Sequence, residues 1–590
     1  MLDNANGSLL TASDRWLAAF EQAVFDSDKA SAKALFHSDC HWRDLLALTW
    51  DIQTFSGAEN IIDAMKTHGG QVGASNFKTA RDRTPPRQVV RAGKEAVETI
   101  FTFETAQGRG TGVLRLVPDA DDGGALKAWT LMTALVELKG FEERIGDARP
   151  TGETYSRDFH GPNWLDLRKS QAAFTDRDPS VLVVGGGQAG LSIAACLTQL
   201  GVDTLVVERN QRIGDNWRNR YHALTLHNQV HVNHLPYMPF PPNWPSYIPK
   251  DKLAGWFEAY ADAMELNVWT GTEFLGGSYD EKEERWSASL RLANGKTREF
   301  NPQHVVMATG VSCIPNIPDI PGQQNFKGEI LHASAYGDGE DWKGQNALVI
   351  GSGNSGHDIA QDLYSSGAQV TLVQRSPTMI INIEPGAQLP YALYNEGPPL
   401  EDCDLIAASM PLAVAWKSHQ LITEQAKQQD QDLLDRLERV GFKLDFGEDG
   451  TGWQFLYMMR GGGYCFNVGC SDLIADGKIK LIQFSDIADF SAKGARFKTG
   501  ETLDADLVVL ATGYKNQDAL VQKLFGDEIA DRVGPIWGFG DNQELRNMYV
   551  RTGQPGLWFN AGSFAQCRIY SKFLALQIKA CEEGLLPVAR

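Results

Sequence analysis

The sequence predicts an α/β chain in which one strand–helix–strand unit occurs twice, behind a smaller α+β region. Three observations predict it. Residues 181–210, VLVVGGGQAGLSIAACLTQLGVDTLVVERN, and 347–374, ALVIGSGNSGHDIAQDLYSSGAQVTLVQ, each run an apolar strand into G-x-G-x-x-G, a helix and a second apolar strand. Each unit is followed by strand-like runs and an apolar strand ending in Ala-Thr-Gly, at 304–310 and 507–513. The first 150 or so residues lack this alternation and place helical spacing before strand-like runs.

The doubled fingerprint has a mechanical reading. One glycine makes the tight turn, one lets backbone approach a pyrophosphate, and one lets helix and strand pack closely, with the pyrophosphate at the positive helix end. Both units are thus Rossmann-like and dinucleotide-binding. Gly185, Gly187 and Gly190, with Gln188 and Ala189 opening the helix, form the first cradle; Gly351, Gly353 and Gly356, with Asn354 and Ser355, form the second. Thr309-Gly310 and Thr512-Gly513 end the strands that let loops pass close to a cofactor. Glu208, followed by Arg209, ends the second strand of the first unit, where a carboxylate suits ribose hydroxyls and repels a 2′-phosphate. Its place first in the chain favours FAD there. In the second unit Arg375 and Ser376 suit a 2′-phosphate, so NADPH is preferred over NADH. Two bound dinucleotides imply electron transfer between them.

Composition bounds the rest. A length of 590 residues suggests several domains, and 55 basic against 74 acidic residues give a net charge of −19, which argues against a nucleic-acid partner. No apolar stretch approaches the roughly 20 residues of a membrane span. No secretory signal is visible at the start, so a cytoplasmic enzyme is expected. The eight cysteines are scattered without a C-x-x-C pair, unlike a dithiol relay. In the first region, Asp14–Asp26 and Ala58–Thr67 read as helices, and Arg87–Ala92, Ala96–Phe103, Gly112–Leu116 and Lys127–Leu138 as strands. The expected organisation is an α+β domain at 1–150, a linker at 151–178, an FAD-binding domain at 179–340 completed by 481–590, and an NADPH-binding domain at 341–480 that carries the substrate-access insertions.

Between the two units, FKGEILHASAY (326–336) matches F-x-G-x-x-x-H-x-x-x-Y through Phe326, Gly328, His332 and Tyr336. This is the identifying sequence of flavin-containing monooxygenases, which residues 179–590 resemble. GDNWRNRY (214–221), LTLHNQVHVNHLPYMPFP (224–241) and GSGNSGHDIA (351–360) extend the likeness towards plant-type and microbial branches. Residues 1–150 resemble, in layout only, the nuclear-transport-factor-2-like cone fold. Such folds hold a pocket or promote assembly, so a homo-oligomer through this domain is an expectation. His41, Trp42, Arg43 and Asp44 are pocket candidates there, with packing and surface pairing the favoured role.

The resemblance implies a class B flavin monooxygenase. NADPH reduces FAD, a flavin C4a-(hydro)peroxide forms with O2, and one oxygen passes to a nitrogen or sulfur nucleophile of a small organic substrate. Baeyer–Villiger oxidation of a ketone and oxidative decarboxylation of a 2-keto acid are alternatives within that chemistry; a plain NAD(P)H oxidase or quinone reductase is the alternative outside it. Tyr336-Gly337 departs from the Trp usual in Baeyer–Villiger enzymes. Trp217 is assigned to cover the FAD, Asn228 to stand beside the reacting flavin with His227 and Asn233 as rivals, and His332 and Tyr336 to architecture. His222, His227, His231 and His234 are interleaved with apolar residues and prolines, so no metal is expected.

Overall fold

The computed structural model describes residues 2–25, 29–151 and 159–589. Near the start, the helix Leu2–Phe25 contains the expected segment, whose last residue, Asp26, lies outside the described residues. It buries Trp16, Leu17 and Phe20, and the Phe20 ring meets Phe77 at 5.3 Å. A seven-stranded sheet follows in the order Ile52–Ser56, Phe36–Leu45, Ala125–Leu138, Gly108–Asp119, Lys94–Glu104, Ser75–Thr79, with Arg87–Arg91 also paired to Lys94–Glu104. Only Phe36–Leu45 with Ala125–Leu138 is a parallel pair. Helix Ala58–Val72 turns Ile61, Ile62 and Met65 inward and ends at Gly73 in the left-handed region.

The two fingerprints build two parallel sheets of the same design. The first runs Val268–Trp269, Thr204–Val207, Val181–Val184, His304–Met307, Leu557–Phe559; the second runs Lys480–Gln483, Gln369–Gln374, Asn346–Ile350, Leu507–Leu510, Glu329–His332. In both, the glycine-bearing strand lies between its own second strand and the one ending in Ala-Thr-Gly. Their central strands are buried throughout apart from Asn346 and Gln369 at the start of two of them, as expected when helices or other elements cover both faces. Each Ala-Thr-Gly strand is preceded by a three-stranded antiparallel excursion, at 273–300 and 487–504.

The second unit is inserted in the first, since Leu557–Phe559 completes the first sheet beside His304–Met307. The insertion is longer than the boundaries at 340 and 480 allow. Glu329–His332 and Leu507–Leu510, outside those limits, pair with each other inside the second sheet. Gly328 permits this edge strand to dock, because a Cβ there would lie 2.3 Å from the Asp506 carbonyl oxygen. Ile314–Pro315 pairs with Tyr514–Lys515 and joins the units. Within the expected linker, Trp164–Ala173 is a helix, started by a capping box between Asn163 and Asp166; residues 152–158 lie outside the described residues. Among the described residues no helix is long and apolar enough to cross a membrane.

The N-terminal unit is fastened to this body by charged groups. Arg43 makes a two-pronged contact with Glu544 at 2.8 and 2.6 Å, and Thr54 donates to the same carboxylate at 2.7 Å. Arg83 reaches Asp402 at 2.6 Å, and Arg91 grips both oxygens of Glu396 at 2.6 and 2.8 Å. Of the four pocket candidates, His41 bonds Ser56, Trp42 bonds Thr133 and buried Asp44 accepts from Thr133, all inside the unit; Arg43 alone reaches out.

Candidate functional site

The glycines act against backbone. Gly185 has φ 112°, and a Cβ there would lie 2.6 Å from the Ala308 carbonyl; Gly351 has φ 122° with the same approach of 2.2 Å to Ala511. A Cβ on Gly190 or Gly356 would meet the carbonyl of Gly185 or Gly351 at 1.8 or 2.0 Å. The Ala-Thr-Gly strand ends therefore serve the turn itself, pressing on the first glycine. Helices Gln188–Gln199 and Asn354–Ser365 begin at Gly187 and Gly353 with no side-chain cap, leaving N–H groups for an anion. Around the first cradle Thr309 Oγ1, Asn216 Oδ1 and Trp217 Nε1 are buried without a hydrogen-bond partner in the protein. Uncapped helices, cradles that a Cβ would fill and orphaned polar atoms all fit bound dinucleotides.

The second strands differ. Gly185 N–H bonds the Val207 carbonyl and Gly351 N–H bonds that of Val373, so Glu208 corresponds to Gln374, and Arg209 to Arg375. Buried Glu208 accepts from Gly186 and Asn210 N–H groups, each at 2.8 Å. Gln374 is equally buried but turns to Lys443, donating to its carbonyl at 2.8 Å and accepting its N–H at 2.9 Å. Arg209, Arg375 and Ser376 are exposed. Ser355 is half-buried in the first turn of its helix.

A cavity of about 1010 Å³ opens beside the first cradle and is lined there by Gln188, Trp217, His227 and Asn228. Gln188 donates to the Gly562 carbonyl at 3.4 Å, while the buried Ala189 carbonyl accepts from Asn560. The second cradle reaches the cavity through strand Tyr464–Asn467. The Cβ missing from Gly353 faces the Tyr464 carbonyl at 3.6 Å, and Asn354 accepts the Phe466 N–H at 2.8 Å. Tyr464 and Phe466 line the cavity with Tyr391, Trp453 and Tyr457, and the Trp453 ring stands edge-on to Phe466 at 4.9 Å.

Asn228 donates to the Tyr391 hydroxyl at 3.1 Å, and burial pushes Tyr391 up to about 12, so it keeps its proton. Asn233 is buried and supports the backbone carbonyl of Asn228 at 2.9 Å. His227 presents Nε2 to Asp358 at 3.7 Å and packs edge-on against Phe466. The other histidines diverge: His222 is exposed beside Asp338, and His234 accepts the Phe240 N–H. Among the described residues no cluster of three or more metal-ligating side chains occurs. Gly310 and Gly513 both have positive φ, and their carbonyls accept from Gln517 and contact His332 Nε2 at 2.9 and 3.0 Å. Thr512 bonds the Asn316 carbonyl at 2.6 Å. Phe326 packs on Phe490, and Tyr336 donates to Asp362 at 2.7 Å. The F-x-G-x-x-x-H-x-x-x-Y residues thus hold the edge strand and the turn joining the units, apart from the cavity.

Sequence reasoning missed the chamber itself. WQFLYMMR (453–460) carries apolar residues at helical spacing, which reads as core, yet Trp453 and Tyr457 face the cavity. It also missed His419, a half-buried cavity residue that burial holds down at about 4, hence neutral.

Comparison with known proteins agrees with this geometry. The pyridine nucleotide-disulphide oxidoreductase family matches residues 182–389, the stretch from the first cradle through the second. All eight cysteines are free thiols. Indole-3-pyruvate monooxygenase YUCCA1 of Oryza sativa subsp. japonica is 31% identical over 368 residues, covering 62% of this chain and 83% of that protein. Probable indole-3-pyruvate monooxygenase YUCCA10 of Arabidopsis thaliana is 30% identical, covering 57% and 82%. Among solved structures, closed cyclohexanone monooxygenase aligns with a TM-score of 0.52 at 16% identity over 69% of this chain and 85% of that one. OTEMO in complex with FAD and NADP aligns at 0.51 and 15% over 69% and 87%. At such identities these two show the shared fold. Paired dinucleotide cradles, the F-x-G-x-x-x-H-x-x-x-Y sequence and the extent of the YUCCA match together make this chain an enzyme of the flavin-containing monooxygenase family.

Proposed function

We propose that this monooxygenase binds FAD in the first cradle and NADPH in the second. It transfers one atom of O2 to the nitrogen or sulfur of a neutral, largely apolar small molecule and releases the other as water. The observation that carries this reading is a cavity lined by Gln188 of the first cradle and by Tyr464 and Phe466, which adjoin the second, with Tyr391, Trp453 and Tyr457 grouped beside them. When bound, the cofactor pair supplies hydride transfer from nicotinamide to flavin and the activation of O2.

The protein's residues bind, orient and exclude water. The glycine cradles and helix ends hold the two pyrophosphates, Glu208 takes the FAD ribose, and Arg375 with Ser376 takes the 2′-phosphate. Trp217 covers the inner end of the FAD site. Asn228 spends one N–H on Tyr391 and keeps a second for the reaction centre, while the Tyr391 O–H has no acceptor among the described residues. Two neutral donors beside an aromatic chamber steady developing negative charge without bringing in water.

Within the chamber Arg43 and Arg91 are engaged by carboxylates and His419 is uncharged, while the exposed Asp541 and Arg546 also line the cavity, so a substrate that is neutral where it meets the inner chamber fits best. A second reading, oxidative decarboxylation of an aromatic 2-keto acid, is favoured by the names of the YUCCA relatives. An aryl methyl sulfide, a cyclic ketone and an aromatic 2-keto acid, each supplied with NADPH and O2, separate the outcomes. Sulfoxide as the main product supports the proposal; carbon dioxide from the keto acid alone, with catalase present to remove free peroxide, would install the second reading. A lactone alone would make the enzyme a ketone oxygenase, and hydrogen peroxide with every probe would make it an oxidase.

A further inference from the structure

The N-terminal unit does more than sit against the catalytic body. Its strands Arg87–Arg91 and Lys94–Glu104 form a hairpin with Ala92 and Gly93 at the turn, both with positive φ, the geometry of a tight two-residue turn. The tip is seated on helix Leu412–Gln429: a Cβ on Gly93 would touch Leu421 at 3.4 Å, and Val414 packs in one cluster with Val89 and Ala92. That helix carries Ala415, Ser418, His419 and Ile422 along the cavity, and Val90, Arg91 and Ala92 line the same cavity beside it. Val90 is 62% exposed although it is a large apolar side chain, so it stands at the opening.

The charges at this wall are paired. Arg91 is held by Glu98 from its own unit and by Glu396 from the body, and Arg87 joins the same carboxylates at 2.8 and 2.9 Å, while buried Arg115 reaches Glu98 from behind at 2.9 Å. Glu396 ends the 3-10 segment Gly386–Asn395, which carries Tyr391. The hairpin is thereby tied to the element that presents the Asn228–Tyr391 pair. Beside these paired groups, what the unit turns toward the opening is the apolar side chain of Val90 and the methyl of Ala92.

We propose that the hairpin 87–104 is the distal wall of the substrate site, selecting substrates that carry an uncharged apolar tail and limiting the length of that tail. The inference rests on the reading that the cavity holds the substrate.

Full-length enzyme and the exposed-site variants Val90→Trp and Val90→Asp test it with two probe series. One is aryl methyl sulfides bearing para-alkyl chains of increasing length, followed by oxygenation. The other is the sulfur-free alkylbenzenes of the same lengths, followed by calorimetric binding. Val90→Trp should lower kcat/KM for the longest sulfides at least tenfold and raise the Kd of the longest alkylbenzenes equally, leaving the methyl members within twofold. Val90→Asp should weaken the long members similarly and the short ones little. Equal response of short and long members, or none, would overturn the wall. Length-dependent binding without any sulfide oxygenation would keep the wall and remove the heteroatom reading, so the two failures are distinct.

Discussion

The two dinucleotide units have nearly the same backbone and differ by one charge at the end of the second strand. Gly190 and Gly356 approach the preceding glycine carbonyl alike, and the helices begin alike. At the end of the second strand, however, Glu208 hooks back onto the glycine loop through Gly186, whereas Gln374 turns away to Lys443. Both strands are followed by an exposed arginine. The cation is therefore common to the two sites, and the residue before it distinguishes them. On the proposed assignment, a carboxylate in the first unit would keep a 2′-phosphate out, and a neutral amide in the second would let Arg375 attract one.

The largest effect expected comes from breaking what the units share. Gly190→Ala places a Cβ 1.8 Å from a carbonyl oxygen that helix and strand both fix, and should cost about 3 kcal/mol. The purified variant should lack most of its flavin by absorbance. Gly187→Ala meets only the end of the Asn216 side chain at 3.1 Å within the protein, so it should keep its Tm while binding flavin less well, and an equal loss of Tm in both variants would refute this account of the cradle.

Next comes a difference inside the matching helices, where His357 in the second unit occupies the place of Leu191 in the first. His357 is 1% exposed, both ring nitrogens lack partners, and burial holds it down at about 4. An unfolded histidine titrates near 6.5, so the folded chain binds this proton less readily. The associated stability is complete above about pH 6.5 and is lost as pH falls towards 4, on the order of 3 kcal/mol. His357→Leu should flatten the fall of Tm between pH 6.5 and 4.5; an unchanged slope would assign acid sensitivity elsewhere.

Smaller effects sharpen the cofactor contrast. Arg375→Ala should raise KM for NADPH by one to two orders of magnitude, on the order of 1–3 kcal/mol, with NADH use changed little. Equal losses with both would remove Arg375 from the phosphate site. Gln374→Glu, which copies the first unit, should reduce the preference for NADPH over NADH about tenfold, roughly 1.4 kcal/mol. Steady-state kinetics with both nucleotides reads each directly.

What was legible in the sequence was local. Glycine spacing, continuous apolar strands and the Ala-Thr-Gly ends exist within short windows, so both cradles and the nested order of units could be read. The limits at 340 and 480 failed because Glu329–His332 joins a strand almost two hundred residues later, a pairing without local signature. The helix Trp164–Ala173 hid in a polar stretch because its capping box is the main local cue and its apolar moment is weak. The chamber was illegible for a further reason: aromatic residues that face a cavity and aromatic residues in a core have the same spacing. Arg43 could be flagged, but its partner Glu544 could not, because nothing near either residue points to the other.

That last contact bears on how the molecule is made. Arg43 and Glu544 are 501 positions apart, and the pair is buried on both sides. During translation the N-terminal unit emerges first, with its guanidinium still in water, and waits while almost the whole catalytic body is synthesised. Burying that cation alone would cost several kcal/mol, so this corner of the interface depends on Glu544 being present. The strand Leu557–Phe559 that completes the first sheet arrives later still. A chain that stops before these residues lacks both the partner that neutralises Arg43 and the last strand of the first sheet.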